Sequence, residues 1–262
     1  MKYFVVDAFT DIIFKGNPAG VCLLESEISD DVMQLIAFEN NLAETAFLLN
    51  KNGTYHLRWF TPEVEIDLCG HATLATAFVV MNYVDLNLNK IEFETKSGTL
   101  GVTRNNDTYT MNFPSRVPEP TKTNSLLEKA LGCKVLETLL SRDLLVLVEK
   151  EDIVKNLNVD IGLLSQISKE VAFAIIVTAK GDSCDFVSRF FAPNAGIIED
   201  PVTGSAHSTL IPFWSKRLNK TTMIARQLSP RGGTLVCEDK GDRVNISGKA
   251  VCYLVGEITL TK

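Results

Sequence analysis

Glu44 and His71 are the residues of this sequence whose types and surroundings best suit proton transfer. Glu44 lies in the mainly apolar segment 42–47, and an acid in such company either faces water at an edge or is desolvated, with a raised pKa. A desolvated carboxyl group is what a general acid/base needs. His71 lies in the first turn of a predicted helix, where the helix dipole disfavours imidazolium. We therefore expect a neutral ring that donates or accepts one proton.

Two glycine-led turns suit the binding of a carboxylate. Gly70-His71-Ala72 and Gly204-Ser205-Ala206 each open a predicted apolar helix, whose N-terminus offers unpaired N–H groups and a partial positive charge. Close helix–sheet packing is the commoner reason for small residues there, so one turn alone is weak support. The presence of two favours a site for a carboxylate substrate. Asp200 lies in an acidic loop before the second turn, where a carboxylate usually caps a helix or closes a turn.

The two turns belong to a longer repeat. Arg58-Trp59-Phe60-Thr61-Pro62 and Arg189-Phe190-Phe191-Ala192-Pro193 are each followed by an acidic segment, the glycine-led turn and an apolar helix. Upstream, Glu44-Thr45-Ala46-Phe47 resembles Glu170-Val171-Ala172-Phe173, which makes Glu170 the expected counterpart of Glu44. Such a repeat predicts two similar lobes with a site between them.

These elements predict an α+β fold of two pseudo-symmetric lobes. Each lobe is expected to be a curled, mostly antiparallel sheet wrapped around a central helix, because a helix that is apolar all round must be buried. The segment 114–122 contains three prolines, which stop helix and sheet pairing, and is the best linker signal. We expect an N-terminal lobe over 1–115, a C-terminal lobe over 122–251, and a last strand near 252–262 that returns to the first lobe. A loop over 14–20 is expected before a strand at 21–24.

The composition excludes several classes of function. The 262 residues are 45% hydrophobic and 22% charged, which is ordinary for a soluble globular protein. The net charge of −6 gives no attraction to nucleic acid or to an anionic membrane. The apolar run in segment 1–7 is too short for a signal peptide and already ends at an acidic residue, Asp7. The longest apolar helix candidate, 74–84, is far below the roughly 20 residues that cross a bilayer. We expect a cytoplasmic protein without a membrane or nucleic-acid partner.

Metal and nucleotide sites are not indicated either. The six cysteines are spread widely without C-x-x-C pairs, so reduced thiols are expected. The three histidines are not paired at ligand spacing, so we expect no metal. The sequence has no phosphate-binding loop and no dinucleotide fingerprint.

Motifs along nearly the whole chain resemble those of the PhzF-like isomerases of phenazine biosynthesis. In chain order they are Gly16-Asn17-Pro18-Ala19, Ala43-Glu44-Thr45-Ala46-Phe47, Phe60-Thr61-Pro62, Leu68-Cys69-Gly70-His71-Ala72-Thr73 and Glu199-Asp200-Pro201-Val202-Thr203-Gly204-Ser205-Ala206. The resemblance implies the diaminopimelate epimerase fold, a homodimer and no cofactor. It also implies a small carboxylated substrate, which is cyclic in the family's archetype.

The resemblance further implies a role for individual residues. Glu44 matches the family's catalytic acid/base, which lifts a proton from one carbon and returns it at another. The polar residues that match those orienting the substrate or assisting the proton shift are His71, Asp200 and Ser205. The residues expected to bind the substrate, chiefly through amides that line the site, are Gly70, Gly204, Asn17 and Ala72.

Thiol-dependent racemases and epimerases are the nearest alternative. They use two thiols, one immediately before each glycine-led turn. Cys69 occupies the first of these places, but Thr203 occupies the second, and an alcohol cannot replace a thiolate as a base near neutral pH. A one-base role for Cys69 stays open. So does a non-catalytic metabolite-binding protein, although binding alone does not require an acid/base such as Glu44.

Overall fold

The computed structural model describes residues 1–260, which divide into two compact units. Unit 1 contains Met1–Asn112 and the chain from Ser247 onward, and unit 2 contains Phe113–Ile246. The second lobe was expected to reach residue 251, and the earlier boundary has a local cause. The Phe9 N–H donates to the Lys249 carbonyl at 2.8 Å, and a Cβ on Gly248 would lie 2.4 Å from the Phe9 ring. Residues 261 and 262 of the expected last strand lie outside the described residues.

Unit 1 is a mainly antiparallel sheet that packs on a helix. Its strands are β1 Lys2–Ala8, β2 Asn17–Leu24, β3 Glu44–Lys51, β4 Thr54–Phe60, β5 Glu65–Ile66, β6 Lys90–Thr95, β7 Gly98–Asn105, β8 Thr108–Pro114 and, after unit 2, β18 Ala250–Glu257. Its helices are α1 Asp30–Asn40 and α2 Gly70–Val79, which continues into a π-helix at Val80–Val84. The pairs β2–β3 and β4–β6 are parallel, whereas β1 pairs antiparallel with both β2 and β18.

Helix α2 has the buried environment that its composition predicts. Its residues from His71 to Ala77 are all buried, and the helix packs against β1, β2, β3, β7 and β18. An apolar helix enclosed in this way has a fixed N-terminus, so the first turn can hold side chains in place.

Unit 2 repeats this pattern of pairing. Its strands are β9 Glu119–Pro120, β10 Glu137–Leu140, β11 Leu144–Leu147, β12 Ile175–Lys180, β13 Phe186–Ala192, β14 Ile197–Asp200, β15 Thr222–Gln227, β16 Gly233–Asp239 and β17 Arg243–Gly248. Its helices are α3 Leu127–Leu131, α4 Glu151–Lys155, α5 Ile161–Val171 and α6 Gly204–Leu218, with a 3₁₀-helix at Pro193–Ala195. The pairs β11–β12 and β13–β15 are parallel, in the order seen for β2–β3 and β4–β6. Helix α6 packs against β15 and β16.

Two sequence expectations about local structure are wrong. The proline-rich segment 114–122 is not free of pairing, because Glu119–Pro120 pairs with β10; a proline is tolerated in so short a strand since few ladder hydrogen bonds are needed. Strand β2 begins at Asn17 rather than at residue 21. The reason is a turn at Gly16, whose φ of +65° brings the chain straight into the strand.

The strand register identifies the true counterpart of Glu44. Thr45 lies opposite Phe60 in unit 1, and Ile175 lies opposite Phe191 in unit 2. Phe60 and Phe191 are equivalent in the repeat, so the counterpart of Glu44 is Ala174. Glu170 is instead an exposed residue of α5. The tetrapeptide similarity was therefore misleading, and unit 2 has no acid in the place of Glu44.

Each unit also contains the same arginine–glutamate pair. Arg58 donates to Glu65 through Nε at 2.7 Å and Nη2 at 2.8 Å, and Arg189 donates to Glu199 at the same two distances. A bidentate pair of this kind fixes both side chains. In each unit it ties β4 or β13 to the short strand that leads to the glycine-led turn.

Candidate active site

Glu44 is placed by the parallel pairing of β2 and β3. It is the first residue of β3, lies beside Ala19 of β2, and is only 7% exposed. The start of β2 is set by Gly16, where a Cβ would lie 2.2 Å from the Ala8 carbonyl oxygen. Only glycine fits this turn, and the turn places Asn17 at the same end of the sheet as Glu44. The Gly16-Asn17 motif is thus a positioning device.

His71 faces Glu44 from the first turn of α2. Its Nε2 lies 3.0 Å from Oε2 of Glu44, and both side chains are more than nine-tenths buried. Apart from this ion pair, neither atom has a hydrogen-bond partner among the described residues. Buried polar atoms almost always have a partner. An acid and a ring nitrogen that have only each other suit a site in which a bound molecule supplies the further partner.

The other ring nitrogen of His71 contacts Asn17 and Cys69. Nδ2 of Asn17 lies 3.2 Å from Nδ1, and Sγ of Cys69 lies 3.5 Å from it. An asparagine amide can present either its nitrogen or, after a flip, its oxygen, so this contact suits either protonation state of the ring. Asn17 was predicted to bind substrate; the structure shows its contact with His71, and a contact with substrate stays a prediction.

The protonation of His71 differs from the sequence expectation of a neutral ring. Burial lowers the pKa of His71, but the negative charge that Cys69 and Glu44 can carry raises it by more, and the pKa lies well above its usual value. Burial and the charge of Glu44 raise the pKa of the Cys69 thiol, so the thiol is protonated near neutral pH. We therefore attribute the raised pKa of His71 to Glu44, whose carboxylate outweighs the helix dipole.

We expect His71 to titrate above pH 6.5 and to lose this property in Glu44→Gln, where burial remains but the negative charge is gone. The folded-state pKa exceeds the unfolded one, so the stabilisation is complete below about pH 6.5 and fades as pH rises through the folded value. Imidazole NMR signals of the three histidines would show this. His207 is the internal reference, since burial lowers its pKa to about 4 and its signals should not move between about pH 6 and 8. A wild-type His71 that titrates at or below its ordinary value would contradict the assignment.

Glu44, Cys69 and His71 also have the side-chain types of a metal site. One ligand atom from each lies within 4.8 Å of the others, a cluster that the sequence spacing did not reveal. Both ring nitrogens already face other groups, Nε2 towards Glu44 and Nδ1 towards Asn17 and Cys69. This arrangement suits a proton relay through the ring, and the absence of a metal from the reaction stays a prediction.

The predicted polar residues of unit 2 are arranged around the start of α6. Asp200 is the last residue of β14 rather than part of a loop, because its backbone pairs with Phe190. The Thr203 hydroxyl donates to the Asp200 carboxylate. The fully buried Gln227 accepts from the Thr203 N–H at 2.9 Å and donates to the Asp200 carbonyl at 2.7 Å. Thr203 is therefore held as a hydrogen-bonding residue and not as a base.

Ser205 follows Gly204 in the first turn of α6. Its Oγ accepts a hydrogen bond from Nη2 of Arg142 at 3.2 Å. His207 lies one turn after Thr203 and bonds through Nδ1 to the Thr203 carbonyl at 2.8 Å. The low pKa of His207 keeps that ring neutral near pH 7, which suits a structural role.

The structure thus distributes the predicted residues over two clusters. Glu44, His71, Asn17, Gly70 and Ala72 belong to unit 1, with Ala72 fully buried, and Asp200, Gly204 and Ser205 belong to unit 2. Gln227 and Arg142 were not predicted from the sequence. Gln227 occupies a buried position of β15, whose residues alternate between exposed and buried. This alternation could have indicated a buried polar side chain. Arg142 can be recognised only from the strand register.

Comparison with known proteins identifies the family. A sequence profile described as phenazine biosynthesis-like protein matches residues 6–256. The chain belongs to the PhzC-PhzF family. An uncharacterized isomerase of Pseudomonas aeruginosa is 48% identical over 260 residues, with 99% of each chain covered. A PhzF-family phenazine biosynthesis protein of Enterococcus faecalis has a crystal structure with a TM-score of 0.97 at 50% identity, also with 99% of each chain covered.

The fold of the family extends to more distant proteins. A hydroxyproline epimerase from Agrobacterium vitis shares it, with a TM-score of 0.65 at 10% identity over 98% of this chain and 91% of the other. The predicted fold class is confirmed, and PhzF proteins form an isomerase-type family. Among the described residues, the helices are all too short or too polar to span a membrane.

Proposed function

We propose that this PhzF-family protein is a cofactor-independent isomerase that shifts a proton within a small carboxylated metabolite, with Glu44 as general acid/base. The observation that carries the proposal is the buried Glu44 carboxylate, whose Oε2 forms a 3.0 Å ion pair with His71 Nε2 and has no other partner among the described residues. A structural acid at this depth would normally be fully paired.

The proposed reaction needs only one carrier. The Glu44 carboxylate takes a proton from a C–H group of the substrate, and the electron pair of that bond moves into an adjacent unsaturated system conjugated with the substrate's carboxyl group. The carboxylic acid form of Glu44 then protonates a second carbon, and a double bond moves. No electron leaves the substrate, so no redox cofactor is required. A positioned acid/base contributes about 10²–10⁴-fold to such a step.

His71 assists Glu44 in this scheme. Its ring can donate from Nε2 to the carboxylate and so hold it in one rotamer, while Asn17 holds the ring through Nδ1. We assign Asn17 to positioning and keep Gly70 and Ala72 as predicted amide contacts. The roles of Asp200, Ser205 and Gly204, and the homodimeric state, remain predictions from the family resemblance.

A thiol-dependent racemase is the second candidate, favoured by the contact between Cys69 and His71. Against it, burial and the charge of Glu44 raise the pKa of the Cys69 thiol, so little thiolate is present to act as a base. The second place is held by Thr203, whose hydroxyl already donates to Asp200. The two-base mechanism lacks one base and has the other protonated.

The proposal is tested by solvent exchange. We expect the purified protein, without added cofactor, to incorporate deuterium from D₂O into at least one member of a panel of cyclic and aromatic carboxylic acids. NMR should show the deuterium at one carbon. It should also show a double-bond isomer whose elemental composition differs from that of the substrate only by the exchanged hydrogen. If a broad panel of such acids shows neither exchange nor isomerisation, a non-catalytic binding role is favoured instead.

A further inference from the structure

Arg142 is held more firmly than a surface arginine usually is. Its Nε and Nη2 donate to the fully buried Asp143 carboxylate at 2.9 and 2.7 Å, and its guanidinium lies 4.9 Å from the centre of the Phe173 ring. The Arg142 side chain is nevertheless 35% exposed. A cation that is fixed on one side and open on the other is suited to binding an anion.

The same arginine determines what Ser205 can do. Because the Ser205 Oγ accepts from Nη2 of Arg142, its own O–H is directed elsewhere and can be donated to an acceptor. By strand register, Arg142 stands where Pro18 stands in unit 1, beside Ser141, the counterpart of Asn17. Ser205 likewise stands where His71 stands. In unit 2 the counterparts of Glu44 and His71 are therefore Ala174 and Ser205, and Arg142, in the place of Pro18, brings a cation next to that serine.

Arg116 adds a second cation to this cluster. Its backbone N–H donates to the Ser208 carbonyl at 2.8 Å, one turn beyond Ser205 in α6. Its Nη1 is buried and has no hydrogen bond to a described residue. Burial and then repulsion from Arg142 lower the pKa of Arg116, and Asp143 opposes this only in part. Among these three side chains the two arginine charges outnumber the single aspartate charge.

We propose that Arg116, Arg142 and Ser205 form a binding site for a single carboxylate group at the N-terminal end of α6, with Arg116 as the residue that determines specificity for a charged ligand. One negative charge neutralises the cluster, the Ser205 hydroxyl donates to one oxygen, and the arginines supply charge-assisted hydrogen bonds. The helix N-terminus adds a favourable dipole.

This inference concerns unit 2 alone and does not depend on the proposed function, because its ligand is defined by chemistry as a small molecule with one carboxylate group. The site itself can be tested without turnover. We choose benzoate as the probe and benzamide as its neutral analogue of the same shape. NaCl holds the ionic strength constant, so that electrostatic screening is the same in every titration.

The test is isothermal titration calorimetry on the full chain. Wild type is expected to bind benzoate more tightly than benzamide, and Arg116→Gln to raise the apparent Kd for benzoate at least about tenfold while leaving benzamide unchanged. Arg226→Gln is the matched control, because Arg226 is an exposed arginine of unit 2 that bonds to Ser183. Arg142→Lys, which keeps the charge but loses the bidentate geometry, should weaken benzoate by a smaller factor.

Equal affinity of wild type for the two probes would overturn the site, and so would equal losses in Arg116→Gln and Arg226→Gln. If benzoate binds through Arg116 but no carboxylic acid exchanges deuterium, the proposed function fails and the site stands. If exchange occurs with no preference for benzoate over benzamide, the site fails and the function stands.

Discussion

Glu44→Gln is expected to lower the isomerisation rate about 10²–10⁴-fold, the contribution of a positioned acid/base, without loss of folding. Glutamine keeps the size of the side chain and can still contact His71, but it cannot accept and return a proton. Since the Glu44 side chain is 9% exposed and has few partners, the neutral amide should be tolerated. The measurement is kcat with the acid identified by the exchange screen.

Glu170→Gln is the matched control for this variant. Glu170 is the residue that the tetrapeptide similarity aligns with Glu44. It is exposed on α5, and the strand register gives the place of Glu44 to Ala174 instead. Its substitution should leave kcat unchanged. Equal losses in the two variants would indicate a general effect of removing a negative charge and not the loss of a catalyst.

Arg189→Met is expected to destabilise unit 2 by about 3–5 kcal/mol, the range for breaking a buried ion pair from one side. Arg189 is 8% exposed, and it donates to both Glu199 oxygens and to the Leu157 carbonyl at 2.9 Å. Methionine fills a similar volume but leaves the Glu199 carboxylate uncompensated. Urea unfolding gives the free energy, and hydrogen exchange of the β13 amides shows whether the loss is local.

Arg58→Met is the matched variant in unit 1, with the same place in the repeat. The Arg58 side chain is 29% exposed, and Glu65 keeps a second partner in Lys96. We expect a smaller loss of about 1 kcal/mol, because Arg58 is more exposed than Arg189 and the Glu65 carboxylate keeps a cation beside it. If Arg58→Met costs as much as Arg189→Met, burial is not what sets the energy of these pairs.

The sequence predicted the fold well because its signals are local and repeated. The strand–proline–acid–glycine order marked both units, and the apolar composition of α2 required its burial. The sequence predicted that the last strand returns to the first lobe but not that the boundary lies at residue 247 instead of 252, because that position depends on the contact between Gly248 and Phe9 across the length of the chain. Strand starts set by a single turn, such as Gly16, were also missed.

The residues of the candidate site could be predicted from the sequence, but the contacts between them could not. Glu44 and His71 could be named from type and context, whereas the 3.0 Å contact that raises the pKa of His71 depends on the pairing of β2 with β3. The helix dipole alone gave the wrong direction. Arg142 belongs to no recognisable sequence motif. Its hydrogen bond to Ser205 depends on the strand register, which the sequence alone did not show.

The central claim is that Glu44, and not Cys69, carries the proton. The most direct test compares deuterium incorporation at the substrate carbon by Glu44→Gln and Cys69→Ser under identical conditions, with NMR at the pH of maximal wild-type activity. The account predicts that Glu44→Gln loses exchange while Cys69→Ser exchanges at nearly the wild-type rate. Exchange that survives in Glu44→Gln and disappears in Cys69→Ser would contradict it.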